Sequence, residues 1–382
     1  MNAAPPNAPQ PRSPGRRRFL RTLLGLGAVA TVGTGADLLL ARTRCRAGEW
    51  HGPVSDHFDG THFFNPPEED LPPADYGSSP IWRWLRERVC RVPYPVLKRN
   101  AHHPELAPVV DGRDWEVTMV NHSTMLIRMA GLCILTDPVW SDYTSPIQGV
   151  GPVRTRPPGI PWNELPHVDV CLLSHDHYDH FDVNTLRCLE ERFHPLFVLP
   201  LGLRSLLEYH LGHPLRVEEK DWWDSVLLPG LRITLTPARH WSKRYRHADE
   251  ANRSLWCGFW LQATDGPKVY FAGDTARTGW FARIYAKLGA PDVALLPIGA
   301  YKPDWIRAHH TNPPEAVQAM LALHAPRAIA CHFGTWQLAN ESYEETLRDL
   351  AAARSAAGLP EAAFIAPDNG RTLRGTASPE CK

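Results

Sequence analysis

No pair of cysteines stands at CxxC spacing, no early apolar run reaches the length of a membrane helix, and neither sign of charge prevails. Each absence excludes something. The 41 basic and 41 acidic side chains of this 382-residue chain cancel, which removes the basic domain that nucleic-acid binding calls for. The eight cysteines, Cys45, Cys90, Cys133, Cys171, Cys188, Cys257, Cys331 and Cys381, are scattered. Cys133 and Cys171 fall inside hydrophobic, strand-like runs, where a free buried thiol is the commoner state, so no disulfide framework is expected. No segment repeats at a solenoid period.

What is present is a chain with a 43% hydrophobic share, ample for a core, and with 14 tryptophans and 37 prolines. That composition points to loops and aromatic-lined surfaces rather than to a helical bundle. The N-terminus differs from the rest. Residues 1–15 are rich in Pro, Ala and Asn and are expected to be disordered. Residues 12–21, "RSPGRRRFLR", carry five arginines and no acid, and "TLLGLGAVATVGTGA" follows without a charge. Its fifteen residues fall short of the roughly 20 of a membrane span. A basic stretch before a short apolar one is the pattern of an export signal, and Arg-Arg-Arg-Phe-Leu resembles a twin-arginine signal. No small-x-small cleavage site follows, so residues 1–47 are expected to be an export signal or a retained anchor, with the protein periplasmic or membrane-anchored.

Residues 48–110 are dense in aromatics and prolines ("DHFDGTHFFNPPEEDLPP"), with a short helix expected near Ile81–Val89, and read as an arm on the main domain. From residue 111 to 382 the texture is that of one folded domain. "WEVTMVNHSTMLIRMAGLCILTDPV" reads as a strand meander broken at Asn121-His122-Ser123 and Ala130-Gly131. "VDVCLLSH", "LFVLP", "LRITLTPAR", "LWCGFWLQAT", "KVYFAGDT", "VALLPIG" and "AIACHFG" are further strands, and "FDVNTLRCLEERF", "TGWFARIYAKLG" and "PPEAVQAMLALH" have helical spacing. Strands in runs and then alternating with helices imply sheets covered by helices, an α/β class.

Histidine and aspartate are poor residues for an apolar interior, yet "LLSHDHYDHFD" crowds His175, Asp176, His177, Asp179, His180 and Asp182 behind a buried strand. A divalent metal rewards such crowding. Imidazole and carboxylate suit zinc, with manganese and iron also suitable. Four residues on one turn cannot enclose an ion, but they can supply parts of two shells. Other strand ends offer partners: His240 in "PARHWSK", Asp274 in "FAGDTAR" and His332 in "CHFGTW".

H-x-H-x-D-H, the distant histidine, Gly-Asp-Thr and the last histidine together resemble the metallo-β-lactamase superfamily. The longer matches "TDPVWSDYTSP", "SHDHYDHFD", "PARHWSKR", "FAGDT", "LPIGAYKPDW" and "CHFGTWQLANE" are similar to the N-acylphosphatidylethanolamine-hydrolysing phospholipase D family. The resemblance implies a four-layer αβ/βα sandwich with a dinuclear metal site at the sheet edge. It implies one ion on His175, His177 and His240, the other on Asp179, His180 and His332, and Asp274 between them. It also implies that Tyr178 and His310 contact the lipid.

Two zinc ions per chain would generate a bridging hydroxide for attack on a phosphodiester, with the charge on the phosphate oxygens neutralised. Asp179 would orient the attacking hydroxide, and His310 would hold the phosphate or protonate the leaving alkoxide. Adjacent His309 competes for that assignment. Lys243 and Arg244, in a segment that also holds Arg246 and Arg253, are expected to bind substrate phosphate or an anionic membrane surface. Asp182 is expected to cap the following helix. The resemblance implies release of phosphatidic acid and an N-acylethanolamine from a phospholipid, and it admits a homodimer. The competing reading keeps the metal and makes the substrate a small soluble lactone, ester or sugar phosphate. A di-iron redox protein of this fold would call for an acid where His177 stands.

Overall fold

The structure, a computed structural model, describes residues 48–68, 92–146, 149–244 and 251–377. The expected helix near Ile81–Val89 and the N-terminal segment through residue 47 lie outside the described residues. Two seven-stranded sheets form the body. The first is built from β1 (Asp114–Asn121), β2 (Thr124–Met129), β3 (Leu132–Thr136), β4 (Val170–Leu172), β5 (Leu196–Pro200), β6 (Val217–Lys220) and, from the far end of the chain, β14 (Thr372–Thr376). Its order is β14-β1-β2-β3-β4-β5-β6. The second holds β7 (Ser225–Leu228), β8 (Leu231–Thr236), β9 (Gly258–Ala263), β10 (Lys268–Phe271), β11 (Val293–Pro297), β12 (Ala328–Cys331) and β13 (Phe364–Ile365), in the order β13-β12-β11-β10-β9-β8-β7.

The hydrophobic patterning explains the layers. Along β4 and just beyond it, Val170 and Leu172 belong to one apolar cluster, and Cys171 and Leu173 to another. Alternation of this kind buries both faces of a strand. The smaller cluster lies between the first sheet and two helices, α1 (Val183–Phe193) and α2 (Leu203–Leu211), through Leu186, Leu189, Leu203 and Leu206. The larger joins the two sheets to each other and to α3 (Trp280–Leu288), α4 (Pro313–Ala322) and α5 (Tyr343–Ala356). Helices thus flank two mixed sheets, the α/β sandwich expected from the sequence.

Local signals set the ends of the helices. Asp182 caps α1 by accepting from the Asn184 N–H. α4 and α5 each open with a capping box, Asn312 with Glu315 and Ser342 with Glu345. The sequence reading passed over α2 and α5. In α5 only Thr346 and Leu350 are buried, so its apolar stripe is thin, although its Ser-x-x-Glu start was legible. Cys133, Cys171, Cys188, Cys257 and Cys331 are free. Among the described residues no helix is long and apolar enough to cross a membrane.

Part of the proline-rich arm enters the core. Phe58 and Phe63 pair through an isolated bridge and are each 1% exposed. Between them and the sheet stands His57, whose ring stacks on Trp222 with centroids 4.3 Å apart. Its Nε2 donates to Asp221 at 2.8 Å and its Nδ1 to Asp56 at 2.6 Å. Burial lowers its pKa, but the bonds and charges of Asp221 and Asp56 outweigh that and leave it above the ordinary 6.5. A raised folded value makes this latch complete below pH of about 6.5 and weaker as pH rises through the folded pKa. We expect His57→Phe, which keeps the ring, to lower the melting temperature more at pH 6 than at pH 8.5. An equal loss at both pH values in paired thermal melts would show that the charge contributes nothing.

Candidate metal centre

The chemistry-bearing residues gather where strands of both sheets end. β4 leads into Ser174 and the turn carrying His175, His177, Asp179 and His180. β8 leads to His240, β10 to Asp274 and β12 to His332. The parallel pairing of β10 with β11 and of β11 with β12 brings Asp274, the segment after β11 and His332 out on one side. Gly273, before Asp274, has φ +62, and a Cβ there would lie 2.6 Å from the Cys257 carbonyl oxygen. Only glycine lets the strand end close enough to deliver the carboxylate.

Asp274 Oδ2 is the focus. His332 Nε2 lies 2.9 Å from it, His180 Nε2 3.2 Å, His310 Nδ1 3.7 Å, His240 Nε2 3.8 Å and His175 Nε2 3.9 Å. Beside it, His177 Nδ1 is 2.9 Å from His175 Nε2 and 3.2 Å from His240 Nε2. Asp179 Oδ2 is 3.3 Å from His332 Nε2 and 3.5 Å from His180 Nε2. All seven residues expected as ligands therefore meet at one spot. Donors at about 2.0–2.1 Å from a tetrahedral ion stand about 3.3 Å from one another, which is the spacing found here.

The donor set fits a cation on a further ground. Both Asp274 oxygens, His180 Nε2 and His332 Nε2 are buried without a hydrogen-bond partner, and unpaired buried polar atoms are costly. Outer bonds turn the rings inward. His180 Nδ1 donates to Asp137 at 2.7 Å, and His240 Nδ1 donates to the His309 carbonyl at 2.8 Å. Each turns Nε2 towards the centre, where the neutral ring offers its lone pair. Burial holds His175 and His240 well below the ordinary value and His177 at about 4, keeping these rings neutral, the form that ligates. Burial also depresses His180 and His332, but Asp274 and Asp179 overcome it, leaving His180 well above its ordinary value and His332 at about 9. Burial raises Asp274 in turn, and His180 and His332 overcome that to hold it well below the carboxylate range. The carboxylates thus favour positive charge at this spot, which a divalent ion would supply.

The other expected residues are placed as follows. A cavity of about 410 Å³ opens over the cluster, lined by His177, Tyr178, Asp179, Asp274 and His310 at its floor. Trp241, Ile306, Leu338 and Ala339 form walls and also line an adjoining cavity of about 210 Å³ with Trp305 and His309. Lys243 borders the larger cavity. Arg244, expected to bind substrate, borders it too but is 5% exposed. Its Nη1 donates to the carbonyls of Asp176 and Phe181 at 2.6 and 3.0 Å, and its guanidinium lies 4.1 Å from the Tyr178 ring. That geometry makes it a clamp on the ligand-bearing turn. Asp176, for which no role was expected, accepts from the Lys243 N–H and the Ser254 hydroxyl and ties the His240 segment to the same turn. Arg246 lies outside the described residues. The sequence reading also missed Asp137, visible only as the Asp-Pro after β3, and His122, whose Nε2 is 3.1 Å from Asp179.

The family profile described as the beta-lactamase superfamily domain matches residues 133–333. An uncharacterised protein of Mycobacterium tuberculosis is 35% identical over 280 residues, 70% of this chain and 74% of that one. N-acyl-phosphatidylethanolamine-hydrolyzing phospholipase D 1 of Caenorhabditis elegans is 33% identical over 267 residues, 66% of this chain and 74% of its own length. Igni18, a metallo hydrolase of the archaeon Ignicoccus hospitalis, shares the fold with a TM-score of 0.51 at 23% identity, over 69% of this chain and 100% of that one. The chain belongs to the metallo-β-lactamase superfamily. Within it the protein is a metal-dependent hydrolase whose homologues include the N-acyl-phosphatidylethanolamine-hydrolysing phospholipases D.

Imidazole must be free of its proton at the ligating nitrogen, so uptake of a divalent ion by these histidines should displace protons. Affinity should fall as pH is lowered, since protonated imidazole cannot ligate. Isothermal titration in two buffers of different ionisation enthalpy measures the release. Identical heats in both buffers, with no pH dependence, would show that these rings are not ligands.

Proposed function

We propose that the protein is a zinc-dependent phosphodiesterase of phospholipase D type that hydrolyses N-acylphosphatidylethanolamine-like lipids to phosphatidic acid and an N-acylethanolamine. The observation that carries this reading is the convergence of five imidazole nitrogens within 3.9 Å of Asp274 Oδ2 on the floor of a cavity with apolar walls. Kinship with the C. elegans phospholipase D supports the choice of a phosphodiester. Exposed Val150 and Val153, on either side of the cavity-lining Pro152, and exposed Trp305 at the adjoining cavity favour a lipid surface as partner. The N-terminal basic and apolar segment is then the export signal or anchor that brings the enzyme to that surface.

His175, His177 and His240 would hold one ion and Asp179, His180 and His332 the other, with Asp274 shared. Such a pair supplies Lewis-acid polarisation of phosphoryl oxygens and lowers the pKa of water towards 7. The chain's own residues do the rest. Trp241, Ile306 and Leu338 exclude water from around the acyl chains. Burial, with Asp274 pulling the other way, pushes His310 down to about 3. It is therefore a neutral ring before substrate arrives, suited to hold a phosphate oxygen by N–H donation. Asp137 and the His309 carbonyl keep the ligating rings in register.

The test is mass spectrometry of products from N-acylphosphatidylethanolamine micelles with the zinc-loaded protein. Phosphatidic acid and N-acylethanolamine should form, and His177→Ala should slow their formation by at least ~100-fold. Absence of both products, with turnover of a soluble lactone, ester or sugar phosphate, would overturn the lipid assignment.

A further inference from the structure

We infer that His122 is a positioning residue of the metal centre, holding the Asp179 carboxylate through its Nε2–H in the orientation the second ion requires. It lies just after β1, in the Asn-His-Ser turn that the sequence shows only as a break between strands. It is 1% exposed, and its Nε2 is 3.1 Å from Asp179 Oδ2. Its carboxylate partner is Asp179, and it does not stand among the nitrogens that crowd Asp274 Oδ2, so we read Nε2 as donating its proton to Asp179 rather than as a ligand. The ring therefore serves the ligand rather than joining the ligands, although its nitrogen lies within 4.8 Å of the donor atoms of Asp179, His180 and His332.

The backbone makes the same residue a fixed point. His122 has φ +44, a left-handed conformation that non-glycine residues adopt sparingly and that clusters at functional sites. Its N–H donates to Thr335 Oγ1 at 3.0 Å, and its carbonyl accepts the His332 N–H at 2.9 Å. Its ring centroid is 4.1 Å from that of His332 and 5.4 Å from that of Trp336. One residue thus fixes the side chain of Asp179, which follows β4 of the first sheet, and the backbone of His332, which follows β12 of the second. Both belong to the ligand set assigned to the second ion. His122 contacts Asp179, His180, His332 and Trp336, so its loss should be felt at that ion and not at the one held by His175, His177 and His240.

The inference rests on the two-ion reading of the centre, and the two are tested separately. The protein is loaded with cobalt or zinc, the bound ions are counted, and their release to excess chelator is followed with a metal-sensitive dye. Cobalt also reports its geometry through its visible spectrum. The wild type should hold two ions and release them in two phases. His122→Ala should accelerate one phase by ~10–100-fold, the usual cost of losing a partner of a ligand, and leave the other unchanged. His122→Gln, which keeps an N–H on a shortened, non-aromatic side chain, should return that phase to within ~3-fold of the wild type and restore the cobalt spectrum. Release of both ions from His122→Ala at wild-type rates would overturn the inference. So would a His122→Gln variant as leaky as His122→Ala, since the ring would then be ligating or merely filling space. A wild type that binds fewer than two ions would remove the two-ion reading and this inference with it.

Discussion

One buried carboxylate governs the molecule's chemistry. Asp274 is 2% exposed, and taking such a charge out of water is unfavourable unless opposite charge and hydrogen bonds surround it. The surroundings here are imidazoles delivered from three separate strand ends and from the long segment after β11. Much of the architecture is intelligible as what it takes to bring them to one oxygen. Parallel β10, β11 and β12 end together, Gly273 permits the close approach, and the turn after β4 closes from the other sheet. The left-handed backbones of Asp137 (φ +36) and His332 (φ +57) are strain retained at that meeting point.

Around this focus lies a ring of residues that never face the cavity floor. Asp137 orients His180 and also accepts from the Ser174 N–H and hydroxyl at 2.7 and 2.6 Å. Arg244 and Asp176 bind the His240 segment to the turn of His175–His180 from opposite sides. The arrangement is reciprocal: Arg244 donates to the Asp176 carbonyl while the Asp176 side chain accepts from the neighbouring Lys243 N–H. Two short loops from different sheets therefore behave as one rigid piece, which is what a site with ångström-level tolerances requires.

How much of this was legible follows from range along the chain. His175, His177, Asp179 and His180 declare themselves because they are neighbours in sequence. His240, Asp274 and His332 do so because each ends a readable strand. Asp137 and His122 were invisible for the opposite reason. Their partners lie 43 and 57 residues away, and an Asp-Pro or an Asn-His-Ser reads locally as nothing more than a turn. Arg244 shows a second limit: its place beside a ligand is legible, but its bonds to the carbonyls of Asp176 and Phe181 are not. The strands were legible from their alternation, but the order of strands was not. Nothing local says that β14 closes against β1 across the whole domain.

The division of donors between the sheets has a bearing on biosynthesis. A nascent chain that has emerged only through β7 and β8 carries His175, His177, Asp179 and His180. It lacks the carboxylate that unites them with the rest, and His332 arrives only with β12. By the assignment above, the home of the second ion stays incomplete until β12 has emerged and the two sheets have docked. Filling of that second place is in this sense a report that both sheets have been assembled.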